Sequence, residues 1–205
     1  MCVQYVLDRT SEELDDIIAM ALSTKTAEKF MLAVNPMKRQ GVIKPADVAP
    51  VIAPAPSGRP SVFAMKWGYQ VPGKTSLLLN ARSETAKTKP TFREDWSKHR
   101  CIIPASYYYE WEHLTDPAGR KKTGDRYILQ PIGHNITWLC GLYRIENGLP
   151  YFVVLTREPG ENIRFIHDRM PMILPKERIR EWTDPDSDPE IVKEYALTDM
   201  VAEKG

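Results

Sequence analysis

The chain has 205 residues, 42% of them hydrophobic, so it can bury a sizeable core. Its 28 Lys and Arg residues nearly balance 27 Asp and Glu residues, which excludes a generally basic protein and means that a nucleic acid would need a local basic patch. No apolar run reaches the roughly 20 residues that span a bilayer, and no signal peptide is evident, so we expect a cytoplasmic protein that does not bind membranes.

The first half of the chain predicts one strand, one helix and then irregular β structure. The spacing of Thr10 and Glu13 matches a capping box and predicts the start of a helix. One stripe of that helix is apolar, comprising Leu14, Ile17, Ile18, Ala21 and Leu22. In residues 42–73, short apolar pieces alternate with Pro and Gly, which favours short strands over helices.

The second half predicts a short helix from Phe92 to Lys98 and then mostly strands. A β-forming stretch beginning near Cys101 is followed by strands at 126–131, 137–145 and 149–156, the last two joined by a turn at 146–148. Short helices are predicted within 175–184 and 189–196. This mixed order predicts one α+β domain over residues 1–205, with a curled, barrel-like antiparallel sheet and short flanking helices.

Three cysteines, Cys2, Cys101 and Cys140, show no C-x-x-C spacing. Cys101 and Cys140 lie in strand-like apolar runs and are predicted to be core residues, which leaves Cys2 as the candidate reactive thiol. Removal of Met1 would give Cys2 a free α-amine beside its thiol. These groups have ordinary pKa values of about 7.7–8.0 and 8.5, so both are partly nucleophilic near neutrality. Such a pair converts an aldehyde into a thiazolidine.

Polar residues also follow three apolar runs. Asn80 and Arg82 follow "SLLL", Glu110 lies in "PASYYYEW", and His167 lies in "FIHDRMP". Taken singly, each has an ordinary structural explanation: a turn former, an exposed strand residue or a histidine at a helix end.

Together, the motifs resemble a known family. The start "MC" and the segments "NARSET", "CIIPASYYYEW", "LTREP" and "IHDRMPMIL", in this order, are similar to the SRAP family (SOS response-associated peptidase) over nearly the whole chain. The resemblance implies the SRAP fold and a covalent trap for abasic sites in single-stranded DNA. Cys2 would capture the opened sugar as a thiazolidine, with weak lyase activity as a by-product. No cofactor or metal is implied, and we expect a monomer.

The resemblance also implies roles for individual residues. Asn80 would hold the α-amine or the linkage by hydrogen bonds, Glu110 would transfer protons, and His167 would be the acid–base group for opening the sugar. The residues implied to bind DNA are Arg82 and Arg169, which would face phosphates, Trp111 and Thr156, which would flank the site, and Pro45 and Trp67, which would form the cleft wall.

The sequence departs from the family pattern at two places. Val3 and Gln4 replace the Gly and Arg of the usual "MCGR" start, and "GKTS" stands where many members carry a wedge tryptophan. The affinity for DNA and the preference for DNA junctions are therefore expected to differ from those of other family members, while the reacting groups are retained.

Two other functions fit parts of the pattern. Cys2 with His167 as base could form a thiol peptidase, which would also need an oxyanion hole. Alternatively, the chain could be a single-stranded DNA-binding module without chemistry. A stable crosslink to abasic DNA, cleavage of a peptide, or binding alone would distinguish the three.

Overall fold

The computed structural model describes residues 3–8, 11–73 and 75–205, within which the chain forms strands and short helices. The strands are β1 (Gln4–Leu7), β2 (Gly41–Ile43), β3 (Val48–Pro54), β4 (Pro60–Trp67), β5 (Asn80–Arg82), β6 (Arg100–Ala105), β7 (Tyr107–Thr115), β8 (Lys121–Pro131), β9 (Thr137–Glu146), β10 (Leu149–Arg157), β11 (Met170–Pro171) and β12 (Met200–Lys204). The α-helices are α1 (Glu12–Leu22), α2 (Lys25–Leu32), α3 (Ser83–Ala86), α4 (Arg93–Lys98), α5 (Ile179–Thr183) and α6 (Pro189–Val192).

Five strands close into a barrel in the order β10-β4-β3-β6-β9, with β9 pairing back to β10. The predicted α+β class with a barrel-like sheet is confirmed. The barrel is mixed rather than purely antiparallel, because β4 and β10 run parallel, with Tyr151 opposite Lys66. Strand β10 also carries β5 in parallel and β11 in antiparallel orientation. The end of β10 therefore carries "NARSET" along one edge and "HDRMP" along the other.

The second sheet is antiparallel and has the order β12-β8-β7-β1-β2. Its apolar side chains join those of the barrel in one continuous core. Tyr5 of β1 packs against Trp67 of β4 at 5.3 Å between ring centroids, and Trp67 stacks on Phe152 of β10 at 6.1 Å. This shared core sets the position of β7, which carries Glu110, relative to the barrel.

Helix α1 follows the predicted stripe, because Leu14, Ile17, Ile18 and Ala21 are buried. Its cap differs from the expectation. Ser11 is the N-cap, and its hydroxyl accepts a hydrogen bond from the Leu14 N–H, whereas Thr10 lies outside the described residues. The amphipathic pattern located the helix correctly, and the cap position differed by one residue.

Other elements differ from the predictions more clearly. Helix α2 and strand β12 were not predicted, and the β-forming stretch after Arg100 divides at Ser106 into β6 and β7. The 146–148 turn is confirmed, with Asn147 and Gly148 both at positive φ, as a two-residue hairpin requires. Within the described parts of the chain, no helix is both long enough and apolar enough to cross a membrane.

Candidate functional site

Glu110 lies in the middle of β7 and is only 3% exposed. Alternation along the strand puts the aromatic rings of Tyr107, Tyr109 and Trp111 on one face and Tyr108 and Glu110 on the other. Strand β1 pairs with β7 so that Gln4 lies opposite Tyr109. The start of β1 is therefore one residue away, along β7, from the buried carboxylate.

Burial raises the pKa of the Glu110 carboxyl above its ordinary value, and the negative charge of Asp168 acts in the same direction. The Trp111 backbone N–H, 3.4 Å from Glu110 Oε1, opposes part of that shift. A raised pKa makes the carboxyl a better proton acceptor when ionised and keeps it protonated to higher pH. The direction of the shift agrees with the raised pKa expected of Glu110, and its role in proton transfer stays a prediction.

His167 lies just before β11 and is 6% exposed. Its Nδ1 accepts a hydrogen bond from the Arg169 backbone N–H at 2.9 Å, which assigns the ring proton of the neutral form to Nε2. The adjacent chain is fixed to β7, because the His113 N–H donates to the Ile166 carbonyl at 2.8 Å. The His113 and His167 rings lie 3.8 Å apart between centroids.

Burial lowers the pKa of His167 to about 4, and the neighbouring His113 acts in the same direction. The ordinary pKa of histidine is about 6.5, so the expectation that His167 titrates near neutrality is wrong. At pH 7 His167 is neutral. It can donate a hydrogen bond from Nε2–H, but it is not an imidazolium acid.

This shift predicts a pH dependence of stability. Between pH 4 and 6.5 the unfolded chain binds a proton on His167 that the folded chain does not, so the free energy of unfolding rises with pH across that window. On lowering the pH from 7 to 5, we expect His167 to account for a loss of about 1–2 kcal/mol. His167→Gln should remove this contribution, as measured by urea unfolding at both pH values.

His134→Gln is the matched control, because His134 lies in the turn between β8 and β9. The raised pKa of Glu110 has the opposite effect, since its stabilisation is lost as the pH rises through the folded-state pKa. For that reason the comparison is made between variants and not on the wild-type curve alone. An equal pH dependence in wild type and His167→Gln would contradict the lowered pKa.

Asn80 begins β5 and pairs with Val154 of β10. Two residues along, Arg82 lies opposite Thr156, which in turn lies opposite Pro171 of β11. Backbone pairing therefore connects Asn80 to the segment that carries His167. The His113 N–H to Ile166 carbonyl hydrogen bond ties that segment to β7, and the charge of Asp168 acts on Glu110. Neighbouring elements therefore carry Asn80, Glu110 and His167, and their convergence on one site stays a prediction.

Arg169 joins the strands of this region. Its guanidinium makes two hydrogen bonds to the Glu84 carboxylate, both 2.8 Å, and donates to the Thr156 carbonyl at 2.7 Å. Burial alone would raise the pKa of Glu84, but the hydrogen bonds and charge of Arg169, a backbone hydrogen bond within Glu84 and the charge of Arg82 together outweigh it, and the net pKa is lowered. Because Glu84 occupies the hydrogen-bonding edge of its guanidinium, Arg169 supports the site in this structure, and its contact with a phosphate stays a prediction.

The remaining predicted DNA-binding residues divide by exposure. Arg82 and Pro45 are exposed and Trp111 is half-buried, so all three can reach a ligand. Trp67 and Thr156 are fully buried: the Trp67 Nε1–H donates to the Leu79 carbonyl, and the Thr156 hydroxyl donates to the Ala81 carbonyl. Both side chains are enclosed by protein in the core, and their contact with DNA stays a prediction that exposure does not support.

Cys2, the predicted nucleophile, lies outside the described residues. The other two thiols behave as expected, because Cys101 and Cys140 are free and buried, and burial raises both thiol pKa values well above the ordinary value. A buried thiol with a raised pKa is a poor nucleophile. Within the described part of the chain, neither cysteine is suited to covalent chemistry.

Sequence reasoning did not identify His113, Asp168 or Glu84. Glu84 and Asp168 lie inside "NARSET" and "IHDRMP", so the motifs contained a signal for them. His113 offered none, because it is far from His167 in sequence and only the pairing of β7 with the 166–168 segment brings them together.

Comparison with protein families matches the model described as "SOS response associated peptidase (SRAP)" to residues 1–204. Among curated proteins, the abasic site processing protein YoqW of Bacillus subtilis is 38% identical over 153 residues, covering 67% of this chain and 66% of that protein. Abasic site processing protein YedK of Escherichia coli is 34% identical, covering 57% and 52%. HMCES of Xenopus tropicalis, also named an abasic site processing protein, is 26% identical, covering 63% and 47%.

Each match therefore spans about two thirds or less of the relative's own length. A crystal structure of a Bacteroides thetaiotaomicron protein superposes with a TM-score of 0.72 at 20% identity, covering 99% of this chain and 91% of that one. A Bordetella bronchiseptica phage-related protein superposes with a TM-score of 0.70, also at 20% identity, covering 100% and 94%. These two likenesses establish a common fold.

Proposed function

The chain belongs to the SOS response associated peptidase (SRAP) family, and from this premise we propose that it processes abasic sites in single-stranded DNA by forming a covalent link through Cys2. The names of its relatives support abasic DNA as the substrate. The observation that carries the chemistry is the buried carboxyl of Glu110, whose raised pKa is due in part to Asp168, the neighbour of His167 in the chain, and which lies one residue along β7 from the pairing with the start of β1.

The distance along the chain allows Cys2 to take part. Gln4 is held opposite Tyr109, and two residues of extended chain span at most about 7 Å. The α-amine and thiol of Cys2 can therefore reach the carboxyl of Glu110 once Met1 has been removed.

The proposed reaction consumes one aldehyde and releases one water. The α-amine adds to the C1′ aldehyde of the opened sugar, and the resulting hydroxyl leaves as water to give an imine. The Cys2 sulfur then adds to the imine carbon while its proton passes to the nitrogen, which closes the thiazolidine. If the imine instead loses a proton next to the 3′ phosphate, β-elimination breaks the strand, which is the weak lyase reaction.

Glu110 is proposed to move the protons. As a carboxylate it accepts a proton from the attacking amine, and as a carboxylic acid it protonates the departing hydroxyl, both of which its raised pKa permits. Neutral His167 is proposed to donate from Nε2–H to a sugar oxygen, and Asn80 to hold the linkage with its amide.

The direct test mixes protein lacking Met1 with single-stranded DNA that contains one abasic site. We expect a species of the summed mass minus one water, stable to heating in denaturant. Intact DNA without the lesion is the control. Binding without this species would support the non-catalytic module, and cleavage of a peptide substrate without it would support the peptidase.

Arg82 is exposed and lies opposite Thr156, next to the site, so it is proposed to contact a phosphate. Arg82→Ala should weaken DNA binding and reduce the slope of log K against log salt by about 0.7, the value for one neutralised phosphate on a single strand. The rate of crosslinking at saturating DNA should change little, because the reacting groups are untouched. Fluorescence anisotropy over a salt series measures the slope.

Arg59→Ala is the matched control. Arg59 is exposed at the β3–β4 turn, at the opposite end of β4 from Trp67. It should leave the slope unchanged. Equal slope changes in the two variants would indicate general electrostatic attraction and contradict a specific phosphate contact at Arg82.

A further inference from the structure

Three side chains from two separate segments present metal-ligating atoms to one another. His113 extends from β7, and His167 and Asp168 lie in the turn before β11, with ligand atoms all within 4.8 Å of one another. Imidazole nitrogens and a carboxylate oxygen are the donors that Zn²⁺ and neighbouring transition metals select. We propose that His113, His167 and Asp168 form a binding site for one divalent transition-metal ion of the zinc class.

The arrangement around His167 suits a cation. Because its Nδ1 accepts the Arg169 backbone N–H, a lone pair and not a proton lies on that nitrogen. The Asp168 Oδ1 lies 2.7 Å from the same nitrogen, so two acceptors face each other. A metal ion placed between them would be held by both, and it would compete with the weaker amide donor for the Nδ1 lone pair.

The required movements are small. Four-coordinate zinc with bonds of about 2.0–2.1 Å places its ligand atoms about 3.3 Å apart, so the three donors need to shift by no more than about 1.5 Å. The buried His167 is the fixed ligand, while His113 is exposed and Asp168 is 81% exposed at its side chain, so these two can adjust.

The backbone already holds the two segments together. The His113 N–H donates to the Ile166 carbonyl at 2.8 Å, immediately before the other two ligands. The β7–β8 pairing changes register between Trp111 and His113. Such an irregularity bends the strand and changes the direction of the His113 side chain. Three protein ligands leave the fourth position of a tetrahedral ion open towards solvent.

Occupancy would affect the proposed reaction. A dication on His167 would add positive charge beside the imidazole and change its hydrogen bonding, so it would slow capture of the abasic sugar. This consequence rests on the proposed function, whereas binding of the metal does not. Zinc would then act as an inhibitor of the site and not as its cofactor.

The test uses metal-free full-length protein and Co²⁺, whose visible absorption reports tetrahedral coordination, followed by Zn²⁺ titration calorimetry without DNA. We expect one ion per chain and the cobalt spectrum of a nitrogen and oxygen ligand set. His113→Gln and Asp168→Asn should each weaken metal affinity by more than about tenfold. Removing a residue that only hydrogen-bonds to a metal ligand already costs about that much, and these substitutions remove a ligand itself.

The matched control is His99→Gln. His99 Nδ1 lies 2.9 Å from Asp95 Oδ1. The substitution therefore removes a histidine that also lies next to a carboxylate but is outside the proposed cluster. It should retain wild-type metal affinity. Loss of binding in Cys2→Ser together with unchanged binding in His113→Gln, or a sulfur-to-cobalt charge-transfer band, would place the metal on the N-terminal aminothiol and overturn the proposal.

Crosslinking provides the second readout. Zn²⁺ at a saturating concentration should slow crosslinking by wild-type protein and have a much smaller effect on His113→Gln, each compared with its own rate in chelator. Equal inhibition of both proteins would refute inhibition through this cluster. Absence of crosslinking by wild type in chelator would count against the proposed function alone, because the metal titrations contain no DNA.

Discussion

Cys2→Ser is expected to abolish the heat-stable crosslink to abasic DNA. The variant keeps the α-amine and can still form an imine, but it lacks the sulfur that closes the thiazolidine, so the adduct hydrolyses on heating. Treatment with borohydride should reduce that imine and restore a stable crosslink. Denaturing electrophoresis with and without borohydride separates these two chemical steps.

Cys101→Ala and Cys140→Ala are the controls for this experiment, since both thiols are buried in the core. Each should crosslink as wild type when circular dichroism shows that it is folded. If a folded Cys140→Ala protein failed to crosslink while Cys2→Ser still formed the heat-stable crosslink, the nucleophile would be Cys140 and not Cys2.

Glu110→Gln should slow single-turnover crosslinking by roughly 10²–10⁴-fold, the range that a positioned general acid–base group contributes. Glutamine has the same shape and can hydrogen-bond, but it cannot transfer a proton. DNA affinity should remain near wild type, because a 3% exposed side chain adds little to DNA binding. Quenched-flow or timed gel assays at saturating DNA measure the rate.

Glu112→Gln is the matched control, as Glu112 is two residues further along β7 and only half-buried. It should crosslink at close to the wild-type rate. Equal slowing in both variants would mean that negative charge on β7, and not proton transfer at Glu110, determines the rate.

Local patterns predicted many of the elements. The apolar stripe of α1, the short helix α4 and the strands at 137–145 and 149–156 all follow from side-chain periodicity and turn residues, which act over a few residues of chain. Helix α2 was missed because it buries only Ala27 and Phe30, which is too few apolar positions to show a helical period. Strand β12 was missed because its pairing with β8 depends on a distant partner.

The candidate site was predicted in part. Motifs singled out Asn80, Arg82, Glu110 and His167; strand pairing places Asn80 and Arg82 beside β10, and a backbone hydrogen bond ties the segment of His167 to β7, which carries Glu110. Sequence could not separate Trp111 from Trp67, because both tryptophans lie next to strand-forming residues and either could pack in the core or stack on a base. Only packing shows that Trp67 is enclosed against Tyr5 and Phe152.

By itself, the sequence determined the family, the α+β class and the types of reactive group available, since these depend on residue identity and short-range order. Tertiary structure alone decided how those groups are tuned and paired. Burial raises the pKa of Glu110 and lowers that of His167 to about 4, and neither effect can be read from neighbours in the chain. The pairing of Arg169 with Glu84 and the contact of His113 with His167 likewise arise because strand pairing brings together segments that are remote in sequence.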